Sequence, residues 1–132
     1  MIALIQRVTE CNVTVGAELI DSIRGGMLVL LGVKDGDTET DAAYLAAKTV
    51  NLRIFQDENE KMNLSLLDTG QDMMIVSQFT LHADTRHGNR PSFTEAAEPK
   101  IAEELYEYFT QEVKTLIGHD KVHNGVFGAM MK

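Results

Sequence analysis

Hydroxyls, an amide and aromatic rings gather in one stretch of this chain, where Ser77-Gln78-Phe79-Thr80-Leu81 runs on through a polar loop to Gly88-Asn89-Arg90-Pro91-Ser92-Phe93. Ser77 and Thr80 carry the oxygen nucleophiles of acyl transfer. Gln78 offers an amide that both donates and accepts, and Phe79 and Phe93 are flat apolar surfaces on which a ring can stack. The apolar residues before Ser77 read as a buried strand opening into a loop. Where such a strand frays, the backbone N–H groups of Phe79 and Thr80 lose their ladder partners and can point at a carbonyl oxygen. One oxyanion donor of this kind contributes about 2.7–4 kcal/mol in the transition state. The chemistry that suits these parts is ester hydrolysis, carried by positioning an activated ester and stabilising charge.

Two readings of the hydroxyls stand side by side. In a regular strand Ser77 and Phe79 face one way and Gln78 and Thr80 the other, so both hydroxyls serve one site only if the strand bulges or ends near Gln78. Otherwise Ser77 is a small residue fitted into the core and Thr80 a β-branched strand residue. Neither hydroxyl has the glycine-flanked elbow of a serine hydrolase. A triad of Ser77 or Thr80 with His82 and Asp84 is disfavoured, because neighbours in one short extended stretch do not fold back on one another. The histidines His82, His87, His119 and His123 lack metal-ligand spacing on a helix, and Cys11 is the only cysteine, which argues against a zinc site or an intrachain disulfide. The acids of Asp35–Asp41 fail as a calcium loop, with Thr40 where the turn needs glycine and Ala46 where the last ligand should be glutamate.

The elements that must hold this stretch are legible from periodicity. Residues 2–9 alternate, with Ile2, Leu4 and Val8 on one face and Ala3, Ile5, Arg7 and Thr9 on the other. Val13 and Val15 continue toward a turn at Gly16, Leu19–Ile23 forms a further short strand, and Arg24-Gly25-Gly26 turns into Met27–Val33. That run is apolar on both faces and belongs mid-sheet. Asp37 or Thr38 caps a helix with Ala42, Leu45, Ala46, Thr49 and Val50 inward. Asp57–Glu60 reads as a polar turn, Leu64–Gly70 as a loop and Met73–Leu81 as the second apolar strand. Pro99 opens a helix whose stripe is Ile101, Leu105, Phe109, Val113 and Leu116, with Glu103, Glu104, Glu107 and Glu112 on its solvated face. A last extended segment, Lys121–Met131, would close the sheet. The pattern predicts a single α/β domain over residues 1–132, with both helices on one side of a mixed sheet. No apolar run is long enough to cross a bilayer and the N-terminus lacks a signal-peptide pattern, so a cytosolic, reduced protein is expected.

With the opening Met1-Ile2-Ala3-Leu4-Ile5-Gln6-Arg7-Val8, the stretch Arg53-Ile54-Phe55 and the run Lys61-Met62-Asn63-Leu64, the Ser77–Phe93 segment resembles the D-aminoacyl-tRNA deacylases over essentially the whole chain. The resemblance implies a three-layer α/β/β domain that pairs into a homodimer, needs no cofactor or metal, and takes the 3′ end of aminoacyl-tRNA. It implies hydrolysis of the ester of D-aminoacyl-tRNA, and of glycyl-tRNA mischarged on tRNA-Ala, in translation quality control. Part of the catalysis would come from the ribose hydroxyl of the tRNA itself. By the same resemblance Ser77, Gln78, Phe79 and Thr80 form the catalytic stretch, while Phe79, Pro91 and Phe93 line the pocket of the terminal adenosine. Arg7 would anchor the partner subunit's contribution. The family's pattern includes a later strand and a Gly-Pro pair with a cis bond that rejects L-amino acids; Pro91 follows Arg90 and Pro99 follows Glu98, so the pair is absent here, which is expected to cost the pocket its chiral filter.

A net charge of −8 excludes a broad basic footprint on nucleic acid and leaves a grip on the single-stranded terminus, with a shallow salt dependence. The alternative from another class is a non-catalytic dimer that binds nucleic acid or protein.

Overall fold

Alternation along one central strand decides the layers. In the computed structural model, which describes residues 1–132, β4 (Gly26–Gly32) sends Met27, Val29 and Leu31 to one side, where they are fully buried, and the half-buried Leu28 and Leu30 to the other. β1 (Ile2–Val8) pairs antiparallel to it, with Leu4 opposite Leu30 and Ile5 opposite Val29. β7 (Asp72–Ser77) pairs parallel on its other edge, and β8 (Val122–Asn124) runs parallel to β7. The result is a mixed sheet, as the pattern predicts, in the order β1-β4-β7-β8.

Helices cover the Met27 face. α1 (Glu39–Asn51) starts at the cap Thr38, whose N–H donates to the Asp41 carboxylate at 2.8 Å, and it buries Ala42, Ala46, Thr49 and Val50. α3 (Pro99–Ile117) begins on the fixed φ of Pro99 and buries Ala102, Leu105, Tyr106, Phe109, Thr110 and Val113. Ile101 and Leu116, expected inward, are exposed. Ile101 falls to the side of the stripe that these buried residues define, and Leu116 lies in the last turn. Phe109 and Val113 pack with Met73 and Ile75 of β7 and with the β4 residues in one continuous core.

A second, thinner β layer lies on the opposite face. The hairpin of β2 (Cys11–Val15) and β3 (Glu18–Ile23) places the buried Val13 and Ile23 against Met74 and Val76 of β7. One polar clasp ties it to the sheet: His123 of β8 has Nδ1 3.0 Å from Asp21 of β3 and Nε2 3.3 Å from Asp72 of β7. Close approach at the start of β4 requires glycine, since a Cβ on Gly26 would sit 2.0 Å from the carbonyl oxygen of Asp72.

Three sequence expectations need correction. Residues 64–70 are not a plain loop: β5 (Phe55–Gln56) and β6 (Met62–Leu64) form a small ribbon, followed by the one-turn helix α2 (Leu66–Thr69). Ser65 and Asp68 cap each other's backbone N–H, and Gly70 ends the turn at φ 65°. The extended segment Lys121–Met131 pairs with the sheet only as far as Asn124. Beyond Gly125 the chain turns, with Gly128 at φ 77°, and comes back beside β2, where Thr14 and Lys132 exchange backbone hydrogen bonds of 2.8 and 2.9 Å. Finally, the strand expected over Met73–Leu81 stops at Ser77, with consequences for the site.

Candidate active site

Gln78 makes the last ladder bond of the sheet, its N–H donating to Leu31 O at 2.8 Å, and the chain then coils into a 3₁₀ turn over Phe79–His82. The turn closes when Leu81 N–H reaches back to Gln78 O at 3.3 Å and Ala83 N–H to Thr80 O at 3.2 Å. The first two N–H groups of such a turn, those of Phe79 and Thr80, have no acceptor within it. The strand thus ends at the position where the hydroxyls and these amides can leave the ladder. Gly32 makes room for the turn, because a Cβ there would lie 3.1 Å from Gln78 O, Leu81 Cβ and His82 Cδ2.

The buried His82 fastens the turn from below. Its Nε2 lies 3.0 Å from Gly32 O, and since a carbonyl only accepts, this nitrogen carries the proton and donates. Asp84 is engaged elsewhere: it accepts from Arg86 Nε at 2.9 Å and Nη2 at 2.8 Å. Those hydrogen bonds hold its carboxyl at about 2, well below the ordinary carboxylate range. Asp84 is thus committed to Arg86, and the one side-chain hydrogen bond of His82 goes to the backbone rather than to Ser77 or Thr80.

The loop beyond the turn is closed at its foot by a two-bond pair, Asp84 N–H to Ser92 O at 2.7 Å and Ser92 N–H to Asp84 O at 2.9 Å. Closure brings Phe93 back over Phe79, edge to face, with centroids 5.3 Å apart and planes at 77°. Both rings remain substantially exposed, 57% for Phe79 and 37% for Phe93. Exposed aromatic rings held in fixed geometry make a stacking surface.

A groove of about 920 Å³ runs from this pair along the Leu28 face of the sheet. Ser77, Gln78, Phe79 and Phe93 line it, and Cys11, Asn12 and Val13 of β2 form one wall. Phe127 and the returning segment Gly128–Lys132 contribute too, together with Glu98 and Pro99 at the start of α3. Burial pushes the Cys11 thiol up from its ordinary value, which keeps it protonated. A smaller cavity of about 580 Å³ on the helix side is lined by Glu39, Glu103, Glu104 and Glu107 and would repel an anionic ligand.

The candidate residues therefore divide. Ser77, Gln78, Phe79 and Phe93 meet in the groove, and the half-buried Thr80 is joined to them through its Oγ1, which accepts from the Gln78 side-chain amide. Pro91 is exposed in the loop and does not line the groove. Arg7 lies apart, on the helix side of β1, where its Nη1 donates to Ile54 O at 3.0 Å. Asn12, Glu98, Phe127 and Met131 reach the groove from distant parts of the chain; periodicity reports which face a residue takes, not which loop it will meet.

Such a site can seat a ring on Phe79 and Phe93 and lay an apolar chain along the Leu28 face, beside the main-chain amides of Phe79 and Thr80, which the turn leaves without an acceptor. The D-Tyr-tRNA(Tyr) deacylase family profile matches residues 4–132. The D-aminoacyl-tRNA deacylase of Thermosipho melanesiensis is 52% identical over 132 residues, covering 100% of this chain and 87% of that protein. The protein of the same name from Salinibacter ruber is 51% identical over 131 residues, 99% of this chain and 87% of the relative. Among solved structures, one titled "c-Myc DNA Unwinding Element Binding Protein" superposes with a TM-score of 0.94 at 37% identity, covering 98% of this chain and 87% of that one. Another, described as a probable eukaryotic D-amino acid tRNA deacylase, shares the fold with a TM-score of 0.81 at 16% identity, covering 97% and 89%.

Proposed function

The chain belongs to the D-Tyr-tRNA(Tyr) deacylase family and is a D-aminoacyl-tRNA deacylase, a hydrolase of the ester between a D-amino acid and tRNA, and on that footing we propose how its groove performs the reaction. The terminal adenine stacks on Phe79 and Phe93, a contact worth roughly 1–3 kcal/mol per base. The ester carbonyl then lies at the end of β7, and the aminoacyl side chain extends along the groove. Water adds to the carbonyl carbon, and the amides of Phe79 and Thr80 hold the oxyanion. Expulsion of the ribose oxygen, which takes up a proton, releases the free D-amino acid and tRNA. Gln78 orients Thr80 rather than activating it, because its amide donates to the hydroxyl and leaves no base beside it. Ser77 is the small residue that lets the ester approach. The observation carrying this reading is the stop of β7 at Ser77, directly beneath the aromatic pair.

Three finer points belong to the same proposal. A site that grips the adenosine and the ester carbonyl needs no aminoacyl side chain and admits glycine, so glycyl-tRNA mischarged on tRNA-Ala is a further substrate. Two copies of the chain pair through the open part of the Leu28 face, where Ile2 and Leu4 stay 40% and 53% exposed on the edge strand. The protein works in the cytoplasm, where aminoacyl-tRNA is used; no helix is long and apolar enough to cross a membrane.

Incubation with D-tyrosyl-tRNA and L-tyrosyl-tRNA tests the reading. Release from D alone supports it in full. Release from both means that this pocket does not sort the two hands, in keeping with the absence of a Gly-Pro pair. Release from neither contradicts it. The 37%-identical structure, a DNA-unwinding-element binding protein by name, favours a second reading, in which this scaffold also holds nucleic acid without turning it over; binding of uncharged single strands without the 3′-terminal adenosine would support that.

A further inference from the structure

The loop between Asp84 and Ser92 contains a cation that the chemistry above does not use. Arg86 pairs with Asp84 and the Met1 ammonium with Asp37, while the His123 ring nitrogens lie beside Asp21 and Asp72. Arg90 takes part in none of them, and no side-chain hydrogen bond occupies it. It is exposed, as is the whole run from Thr85 to Arg90. Within that run there is no acid, in a chain whose net charge is −8. The acid at its foot, Asp84, is bound on both oxygens by Arg86, and Glu95 also acts on Arg86. The Arg90 guanidinium is therefore free to meet a group from outside the fold.

Position says what that something is. Arg90 precedes Pro91-Ser92-Phe93, and the Asp84–Ser92 pair fixes the loop's foot next to the Phe79–Phe93 stack. A base on those rings carries its phosphate away from the ester end. We propose that Arg90 binds a backbone phosphate of the single strand just upstream of the stacked terminal adenosine, making the Asp84–Ser92 loop the arm that tracks the tRNA 3′ tail. This rests on the deacylase reading and deepens it. An isolated guanidinium on a rigid foot recognises phosphate through charge-assisted hydrogen bonds. One such contact also reconciles an acidic protein with an RNA substrate, because it neutralises a single phosphate and needs no basic surface.

The experiment compares two D-tyrosyl esters, full tRNA and the 3′ ester of adenosine, which has no phosphate, with wild type, R90Q and R90K. On tRNA, R90Q should lose about tenfold in kcat/KM, through KM rather than kcat. On the adenosine ester its loss should stay below about twofold, and R90K should recover most of the tRNA activity. The binding of uncharged tRNA should show a log–log salt slope shallower by about 0.7 in R90Q. Equal losses on both esters, or an unchanged slope, would overturn the proposal and make Arg90 a structural support for the aromatic pair. A wild type that spares both esters would sink the deacylase reading instead, while the slope from uncharged tRNA would still decide the arm.

Discussion

The two faces of the central sheet are built from alternate residues of the same strands, yet they do different work. On one face Met27, Val29, Leu31, Met73 and Ile75 are wholly covered by α1 and α3. On the other, Met74 and Val76 are buried under a two-stranded hairpin, while Leu28 and Leu30 line an open groove. Burial of apolar area stabilises at roughly 25 cal/mol per Å², so the helix face holds the fold and the hairpin face can stay open for a ligand. A strand of period two lets both coexist: β7 anchors itself through Met73 and Ile75 and presents its end to the groove.

The comparison can be broken by substitutions that should affect one face and spare the other. Phe109→Ala, in the helix layer, should cost about 3–5 kcal/mol in denaturant unfolding with KM for D-tyrosyl-tRNA unchanged in the folded fraction. A small stability loss would show that the helix face is not the anchor. Phe93→Ala, at the groove, should do the reverse, weakening substrate binding by about 1–3 kcal/mol with little change in unfolding midpoint. If unfolding shifts as much as binding, the ring is packing rather than platform.

Tyr106→Phe probes a link between the layers. The Tyr106 hydroxyl donates to Ile75 O at 2.8 Å and accepts from Asn124 Nδ2 at 2.8 Å, and burial pushes its ionisation above the ordinary value. Its removal leaves an amide without this acceptor and should cost about 1–2 kcal/mol; a neutral effect would mean that water or Thr110, already 3.0 Å from that amide, compensates.

The smallest effect concerns pH. Because hydrogen bonds from Arg86 hold Asp84 at about 2, below its ordinary 3.8, the pair's contribution is complete above the ordinary carboxylate range and is lost only as pH falls through about 2. The Asp84–Arg86 pair should stay formed from about pH 8 down to 4. A carboxyl NMR titration of Asp84 with its midpoint near 3.8 would show the Arg86 pair broken in solution.

Periodicity made the strands and helices of the core readable, since Met27–Val33 and the α3 residues Leu105, Phe109 and Val113 declare their faces by spacing alone. It missed α2, whose single turn is too short for a period and rests on the Ser65–Asp68 caps. It also overextended the last strand, because Gly125 and Gly128 turn the chain toward β2. At the site, the need for β7 to end near Gln78 was visible in the alternation of Ser77, Gln78, Phe79 and Thr80. The opposite wall was not: Asn12, Phe127 and Met131 meet Ser77 only through tertiary packing, and nothing local marks them.

Single-turnover hydrolysis of D-tyrosyl-tRNA by Thr80→Ala tests most directly whether main-chain amides, rather than a hydroxyl nucleophile, drive the reaction. The account expects a rate within about tenfold of wild type, since the amide survives the substitution. A loss of about three orders of magnitude or more, the scale of a missing catalytic nucleophile, would contradict it.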